Sequence, residues 1–147
     1  MTAQDSNKAR VLLRLHEINK RLTPKFEQCT GISQSRLEVI HAIYNVEELS
    51  QKELQQKVNI DHAAVTRHLK QLEEKGMVTR RKSTEDNRVT FVKMTEAGRT
   101  RVQAYCEERR YFTEQLFKGL TEEEYLQLDQ TLQHVQNNIE NIQKREI

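Results

Sequence analysis

Residues 61–95 read DHAAVTRHLKQLEEKGMVTRRKSTEDNRVTFVKMT. Asp61 suits a helix N-cap, because a short side-chain oxygen can accept a hydrogen bond from the backbone N–H groups that a first turn leaves unpaired. Behind it Val65, Leu69 and Leu72 fall within about 60° of one another on a helical wheel and mark an inward face. Gly76 ends the helix, since glycine accepts the left-handed backbone common just past a helix C-terminus. Met77 to Lys82 and Val89 to Met94 then read as strands, the second alternating Val89, Phe91 and Lys93 against Thr90, Val92 and Met94. The polar run from Ser83 to Arg88 turns between them, and Asp86 and Asn87 suit it because they bond local backbone or tolerate positive φ. Upstream, Ser50 followed by Glu53 is a capping-box signature that opens a short helix with Leu54 and Val58 inside. Two short helices across a tight turn predict a helix-turn-helix. A hairpin with a basic tip directly behind it makes a winged helix.

On the N-terminal side, Val11, Leu15, Ile18, Leu22 and Phe26 recur at helical spacing. Pro24 is expected to kink or restart that helix, because proline lacks the backbone donor and clashes with the preceding turn. Gly31 allows a turn, and Leu37, Ile40 and Tyr44 suggest a second helix from about Ser33 to Asn45. On the C-terminal side, Thr95 caps a helix expected to reach Lys118, with Gly119 closing it, and Thr121 with Glu124 forms another capping box. In the last helix Tyr125, Leu128, Leu132, Val135, Ile139 and Ile142 alternate spacings of three and four, the 3.5-residue period of coiled-coil packing. The expected architecture is mainly α with a small β-hairpin wing. Residues 1–45 would hold an N-terminal dimerisation helix and a second helix, 46–95 the winged lobe, and 96–147 the C-terminal dimerisation helices.

Burying one Leu, Ile or Val side chain contributes roughly 1.5–3 kcal/mol, so two long apolar stripes are costly to leave in water. A small winged domain cannot cover both. Pairing with a second copy through Val11, Leu15, Leu128, Leu132, Val135, Ile139 and Ile142 resolves this; the alternative is a helical hairpin within one chain. Two-fold symmetry also suits DNA, since dimeric helix-turn-helix proteins read half-sites about 34–36 Å apart.

The chain has 147 residues, 24 Lys+Arg and 22 Asp+Glu, for a formal net charge of +2. That near-balance hides a sorting along the chain. Residues 61–102 carry ten basic and six acidic side chains, whereas residues 103–147 carry five and nine. A phosphate backbone meets the local field rather than the total. With 35% hydrophobic and 31% charged residues, any core is thin. There is no apolar run of the roughly 18 residues that a membrane helix needs and no secretory signal pattern, so the expected location is cytoplasmic, with no membrane partner. Cys29 and Cys106 form neither a disulfide framework nor a C-x-x-C motif. Gly-rich phosphate loops, a G-x-S-x-G elbow and H-E-x-x-H are all missing. No two of the five histidines stand four apart, and His41 with Glu38 is too small a ligand set for zinc. No enzymatic activity, cofactor or metal is expected.

With Val65, Leu69 and Leu72 inside, the 100° helical step puts Ala63, Thr66, Arg67, Lys70 and Glu74 outside. Arg67 could grip guanine O6 and N7, and Thr66 and Ala63 could meet a thymine methyl or base edge. Lys70 suits a phosphate, and His62 suits a base or a phosphate. In the wing, Arg80, Arg81, Lys82 and Arg88 concentrate positive charge, and an arginine at the tip suits a narrow minor groove. Asp86 would be misplaced beside DNA unless it orients an arginine through a charge-assisted hydrogen bond or caps the turn.

The sequence resembles the MarR family of winged helix-turn-helix transcriptional regulators. The most specific match is Asp86-x-Arg88 followed by Met94-Thr95, the family's D-x-R-x-x-x-x-x-L-T wing pattern with Met for Leu. Ala64-Val65-Thr66-Arg67-x-Leu69-x-x-Leu72-Glu73-x-Lys75-Gly76-Met77-Val78 is similar to the family's recognition helix entering the first wing strand. Thr95-Glu96-Ala97-Gly98 matches the start of its long fifth helix. Gly31-Ile32-Ser33-x-Ser35 stands where the family often has G-L-T-x-x-Q, with Arg36 in place of Gln.

The resemblance implies a homodimer with interleaved terminal helices that binds a pseudo-palindromic operator, with repression relieved by an effector. It makes Arg88 the wing arginine and Ala63, Thr66 and Arg67 the readers. An effector crevice between the dimerisation helices and the winged lobe would involve Leu15, Phe26, Ile40, Tyr44 and Tyr105, all of which also suit a core. Some relatives sense oxidants through a cysteine near the start of the first helix, where this chain has none. Cys29 is the one thiol with a cationic neighbour, Lys25, and a following helix to activate it. The expectation is an effector-responsive DNA-binding repressor. The alternatives are a redox-responsive regulator acting through Cys29 and a helical protein-interaction module that does not bind DNA.

Overall fold

Four local caps start the helices where the sequence places them. Ser33 Oγ accepts from the Arg36 N–H at 3.2 Å, Ser50 Oγ from Glu53 at 3.0 Å, Asp61 Oδ1 from Ala64 at 3.0 Å and Thr121 Oγ1 from Glu124 at 3.1 Å. At Thr121 the box is reciprocal, with Glu124 accepting from the Thr121 N–H. In the computed structural model, which describes residues 2–146 less the side chain of Gln4, the order is α1 (Ala3–Thr30), α2 (Gln34–Tyr44), β1 (Leu49–Ser50), α3 (Gln51–Lys57), α4 (His62–Glu74), β2 (Val78–Lys82), β3 (Thr90–Met94), α5 (Glu96–Leu116) and α6 (Glu122–Glu140). The chain divides into two compact units, Met1–Phe112 and Thr113–Ile147.

In the first unit, α2, α3 and α4 pack as a helix-turn-helix lobe whose centre is Leu37, Ile40, Ile43, Leu54, Val65, Leu69 and Leu72, all buried. The wing is a three-stranded antiparallel sheet in the order β1-β3-β2. The hairpin register sets Val78 opposite Met94, Arg80 opposite Val92 and Lys82 opposite Thr90. Val78, Val92 and Met94 therefore share the buried face. The third strand, β1, is an addition to the expected hairpin: Leu49 pairs with Val92 and Ser50 with Phe91.

Thr95 joins the wing to α5. Its N–H donates to the Met77 carbonyl at 3.0 Å, and its hydroxyl donates to Gly76 O at 2.7 Å while accepting from the Gly98 N–H at 2.9 Å. This draws α5 so close to β2 that a Cβ on Gly98 would lie well inside contact distance of the Met77 carbonyl oxygen and 2.9 Å from Met94 Cγ. Because that oxygen belongs to backbone, little can yield. We predict that Gly98→Ala destabilises the fold by about 1–3 kcal/mol, the usual range for overpacking. Denaturant unfolding checks this, and an unchanged midpoint would show that α5 can move away at no cost.

Three sequence expectations need correction. α1 runs through Pro24 without restarting. Lys20 and Pro24 are both exposed, so water can serve the Lys20 carbonyl that proline leaves without its helical donor. α5 stops at Leu116, because the Lys118 N–H reaches only three residues back, to Gln115 O, and Gly119, at φ 88°, follows it. Ile142 lies past the α6 C-cap, Asn141, and is 74% exposed. The helical seam in the second unit therefore comprises Tyr125, Leu128, Leu132, Val135 and Ile139, and no residue of α6 is buried.

Candidate nucleic-acid interface

Helix α4 sorts its residues as its period requires. Ala64, Val65, His68, Leu69 and Leu72 are buried, while His62, Ala63, Thr66, Arg67, Lys70 and Glu74 are exposed. The Thr66 hydroxyl donates to the His62 carbonyl at 3.0 Å, which fixes its rotamer beside Ala63 and Arg67 on the open face.

At the wing tip the chain closes on itself through Ser83 N–H to Val89 O at 2.8 Å and Val89 N–H to Asp86 O at 3.0 Å. Asp86 takes both roles left open by its position. Its Oδ1 accepts from the Arg88 backbone N–H at 3.0 Å and from Arg88 Nε at 3.1 Å, and Oδ2 accepts from Nη2 at 3.4 Å. These side-chain and backbone hydrogen bonds hold the Asp86 carboxyl below its ordinary pKa. The Arg88 side chain is still 90% exposed. Asp86 thus aims an arginine whose surface stays open.

The other basic wing residues divide. Arg80 is clasped by Glu73 of α4, Nε to Oε2 and Nη2 to Oε1, both at 3.1 Å. These bonds lower the Glu73 pKa and raise that of Arg80. Arg81 is clasped by Glu48 at 3.2 and 2.8 Å and lies over the Phe91 ring at 4.7 Å. Arg80 therefore ties the wing to α4 through Glu73 and is less open than Arg88. Lys82 and Arg88 are exposed. The structure also brings Arg88 to a hollow of about 340 Å³ shared with Gln51, Lys52 and Gln55 of α3. Those three residues were missed in the sequence because nothing in their spacing couples α3 to the wing.

Behind the open face, α2 meets α4 through polar groups. Arg36 Nη2 donates to Gln71 Oε1, which is how the Arg36 departure from the family pattern is accommodated. Ser35 Oγ and His68 Nε2 lie 3.3 Å apart. Arg36 Nε and His68 Nδ1 are buried without a hydrogen-bond partner.

The proposed crevice residues are not uniformly open. Ile40 has no exposed surface and Phe26 is buried edge-to-face on Phe112 at 5.3 Å, so both are core in this chain and neither lines an open crevice. Leu15, Tyr44 and Tyr105 are half-buried. Arg99 covers the Tyr44 ring at 5.1 Å and Arg101 lies over Tyr105 at 5.9 Å. Nearby, Arg109 Nη1 approaches His41 Nε2 at 3.0 Å; burial and then that charge lower the His41 pKa. Cys29 is exposed but lies in the last turn of α1, not beyond it. It therefore stands at the C-terminal end of one helix and not at the N-terminus of the next. Among the described residues no group of three His, Cys, Asp or Glu side chains is arranged to hold a metal.

Residues 32–90, from the start of α2 to the wing, match the MarR family. Over 138 residues the chain is 49% identical to the Bacillus subtilis protein YdgJ, described as an uncharacterized HTH-type transcriptional regulator, covering 94% of this chain and 84% of that one. It is 34% identical over 80 residues to the Pseudomonas putida transcriptional repressor IacR, covering 54% and 48% of the two chains. Among solved structures it is similar to a mutant Escherichia coli MarR in complex with operator DNA, with a TM-score of 0.73, 26% identity and coverage of 88% and 96%.

Proposed function

This chain belongs to the MarR family of transcriptional regulators, and we propose that it works as a homodimeric repressor that reads a pseudo-palindromic operator and is released by a small-molecule effector. The observation that carries the DNA-reading part is the exposed set His62, Ala63, Thr66, Arg67 and Lys70 on α4 beside an Arg88 aimed by Asp86. Arg67 and its α4 neighbours read base edges in the major groove, Lys70 and Lys82 meet phosphates, and Arg88 enters the minor groove. Arg80 and Asp86 hold the parts in place.

The dimer is supported by the exposure of Val11 at 58% in the first unit and of Leu128, Leu132, Val135 and Ile139 at 36–61% in the second. Exposed apolar side chains at helical spacing are a surface that a second copy can cover. The effector part rests on the family together with Tyr44 and Tyr105, each half-buried under an arginine, a combination that suits a small aromatic acid. A thermal-shift screen of such acids tests it, because a ligand that binds only the native state raises apparent stability. A screen with no stabilising acid removes this part.

In vitro selection from a pool of random duplexes tests the function itself. The expected product is an inverted repeat whose half-sites are centred about one helical turn, 34–36 Å, apart. Enrichment of single half-sites would contradict the dimeric reader, and a pool that never enriches would contradict DNA reading.

A further inference from the structure

The seam between α2 and α4 contains a titratable group that DNA reading does not use. His68 is 6% exposed and lies on the inner face of the reading helix, one residue from Arg67. Its Nε2 meets Ser35 Oγ of α2 and its Nδ1 has no partner. The charges acting on the ring are those of Arg36 from α2 and Arg67 from its own helix. Three carboxylates of the two helices and the α4 cap are committed elsewhere: Glu38 accepts from the Asn59 N–H, Asp61 caps Ala64, and Glu73 holds Arg80. Glu74 is exposed, about 120° round α4 from His68.

We propose that His68 is a proton-dependent positioning residue, the neutral ring seating α4 against α2 and the protonated ring loosening that seat so that the protein leaves its operator in mild acid. This rests on the DNA-reading function above. As a cation the imidazole must donate from both nitrogens, and Nδ1 has no acceptor in the seam. It would also be a third positive charge beside Arg36 and Arg67 in a place largely shut off from water. The same two causes, burial first and then the two guanidinium charges, hold the His68 pKa below its ordinary value of 6.5. The sign follows from proton counting. Above pH 6.5 both folded and unfolded forms are neutral and the seat has its full stability; as pH falls through 6.5 toward the lower folded value, the unseated form takes up the proton first and stability is lost.

The seat bears directly on reading, because Arg67 and Thr66 reach their open face only if α4 is held in register against α2. Acid also protonates exposed histidines such as His62, which favours DNA binding through added positive charge. The comparison must therefore be between proteins that share His62.

The experiment measures affinity for the duplex selected in vitro with this protein, at constant ionic strength, from pH 7.5 to pH 5.0, for the wild-type chain and His68→Gln. Glutamine can meet Ser35 and does not titrate. Wild type is expected to lose up to about tenfold in affinity per pH unit per protomer as pH falls from 6.5 toward the lower midpoint of the seated His68 ring. His68→Gln should bind comparably at pH 7.5 and hold its affinity better, ending at least about tenfold ahead of wild type at pH 5.0. Equal acid losses in the two proteins would overturn the proposal and leave DNA reading intact. Failure to select any duplex at pH 7.5 would remove the function and the proposal with it. Should the variant not fold, imidazole NMR of the wild-type chain decides: titration of His68 below 6.5, accompanied by shifts in α2 and α4, supports the proton-dependent seat, and titration at or above 6.5 overturns it.

Discussion

Leu132→Asp is expected to sediment as a monomer and to lose about a hundredfold or more in operator affinity. Leu132 stands in the middle of the α6 stripe, with Leu128 and Val135 on either side, and is 41% exposed in the single chain. A carboxylate at that point is tolerated by a solvated helix but not by a buried seam, where an unpaired charge must be stripped of water. Each apolar side chain that the seam covers contributes roughly 1.5–3 kcal/mol, and the substitution also separates the neighbours that depend on the same contact. The DNA consequence is larger than the local one. Two linked reading heads turn the second half-site into an intramolecular event, and such linkage multiplies affinity by about 10²–10⁴. The thermal unfolding of the first unit should change little, since none of its core residues lies in α6. A dimer that survives Leu132→Asp in sedimentation would place the subunit contact elsewhere.

Substitutions of the arginines come next in size, and they should not behave alike. Arg67→Ala removes a bidentate donor from the open face of α4 and is expected to cost about 1–3 kcal/mol at its cognate base pair while relaxing the preference there. Arg88→Ala takes away the aimed wing cation. Affinity should fall at every sequence tested, and the salt dependence should become shallower by about one phosphate equivalent per wing if the side chain meets backbone as well as groove. Asp86→Ala should reproduce part of that loss, because Arg88 remains but is no longer held by its two side-chain bonds and its backbone bond. Arg80→Ala is expected to be mild. Its partner Glu73 is 42% exposed, and exposed ion pairs are worth about 0.2–1 kcal/mol. Measured affinities in the order Arg80→Ala above Arg88→Ala support the division between tie and reader. The reverse order would contradict it.

The fold was legible wherever the signal is local. Asp61, Ser50 and Thr121 announce helix starts, and the inner and outer faces of α4 follow from its period. The Val92 and Met94 side of β3 follows from alternation. β1 was not legible, since two residues cannot show a period and Ser50 reads as a cap, which it also is. Pro24 misled because the penalty for proline inside a helix depends on whether the orphaned carbonyl reaches water. Ile142 continued the spacing of the seam after Asn141 had already closed the helix. The site divides in the same way. Which residues point outward was readable, but which arginines are already held was not: Glu48 lies 33 residues before Arg81, Gln71 lies 35 after Arg36, and Ser35 lies 33 before His68. Only the packing of α2, α4 and the wing brings these groups together. Asp86 and Arg88, two residues apart, are the exception, and their pairing could be anticipated.

A basic surface, hidden within a net charge of only +2, is proposed to grip a DNA backbone. Its most direct test is the affinity of the wild-type chain for its selected duplex as a function of salt. The predicted result is a straight fall of log K with log salt at about −0.9 per phosphate neutralised, steep enough for several contacts per dimer. A flat salt dependence would contradict it.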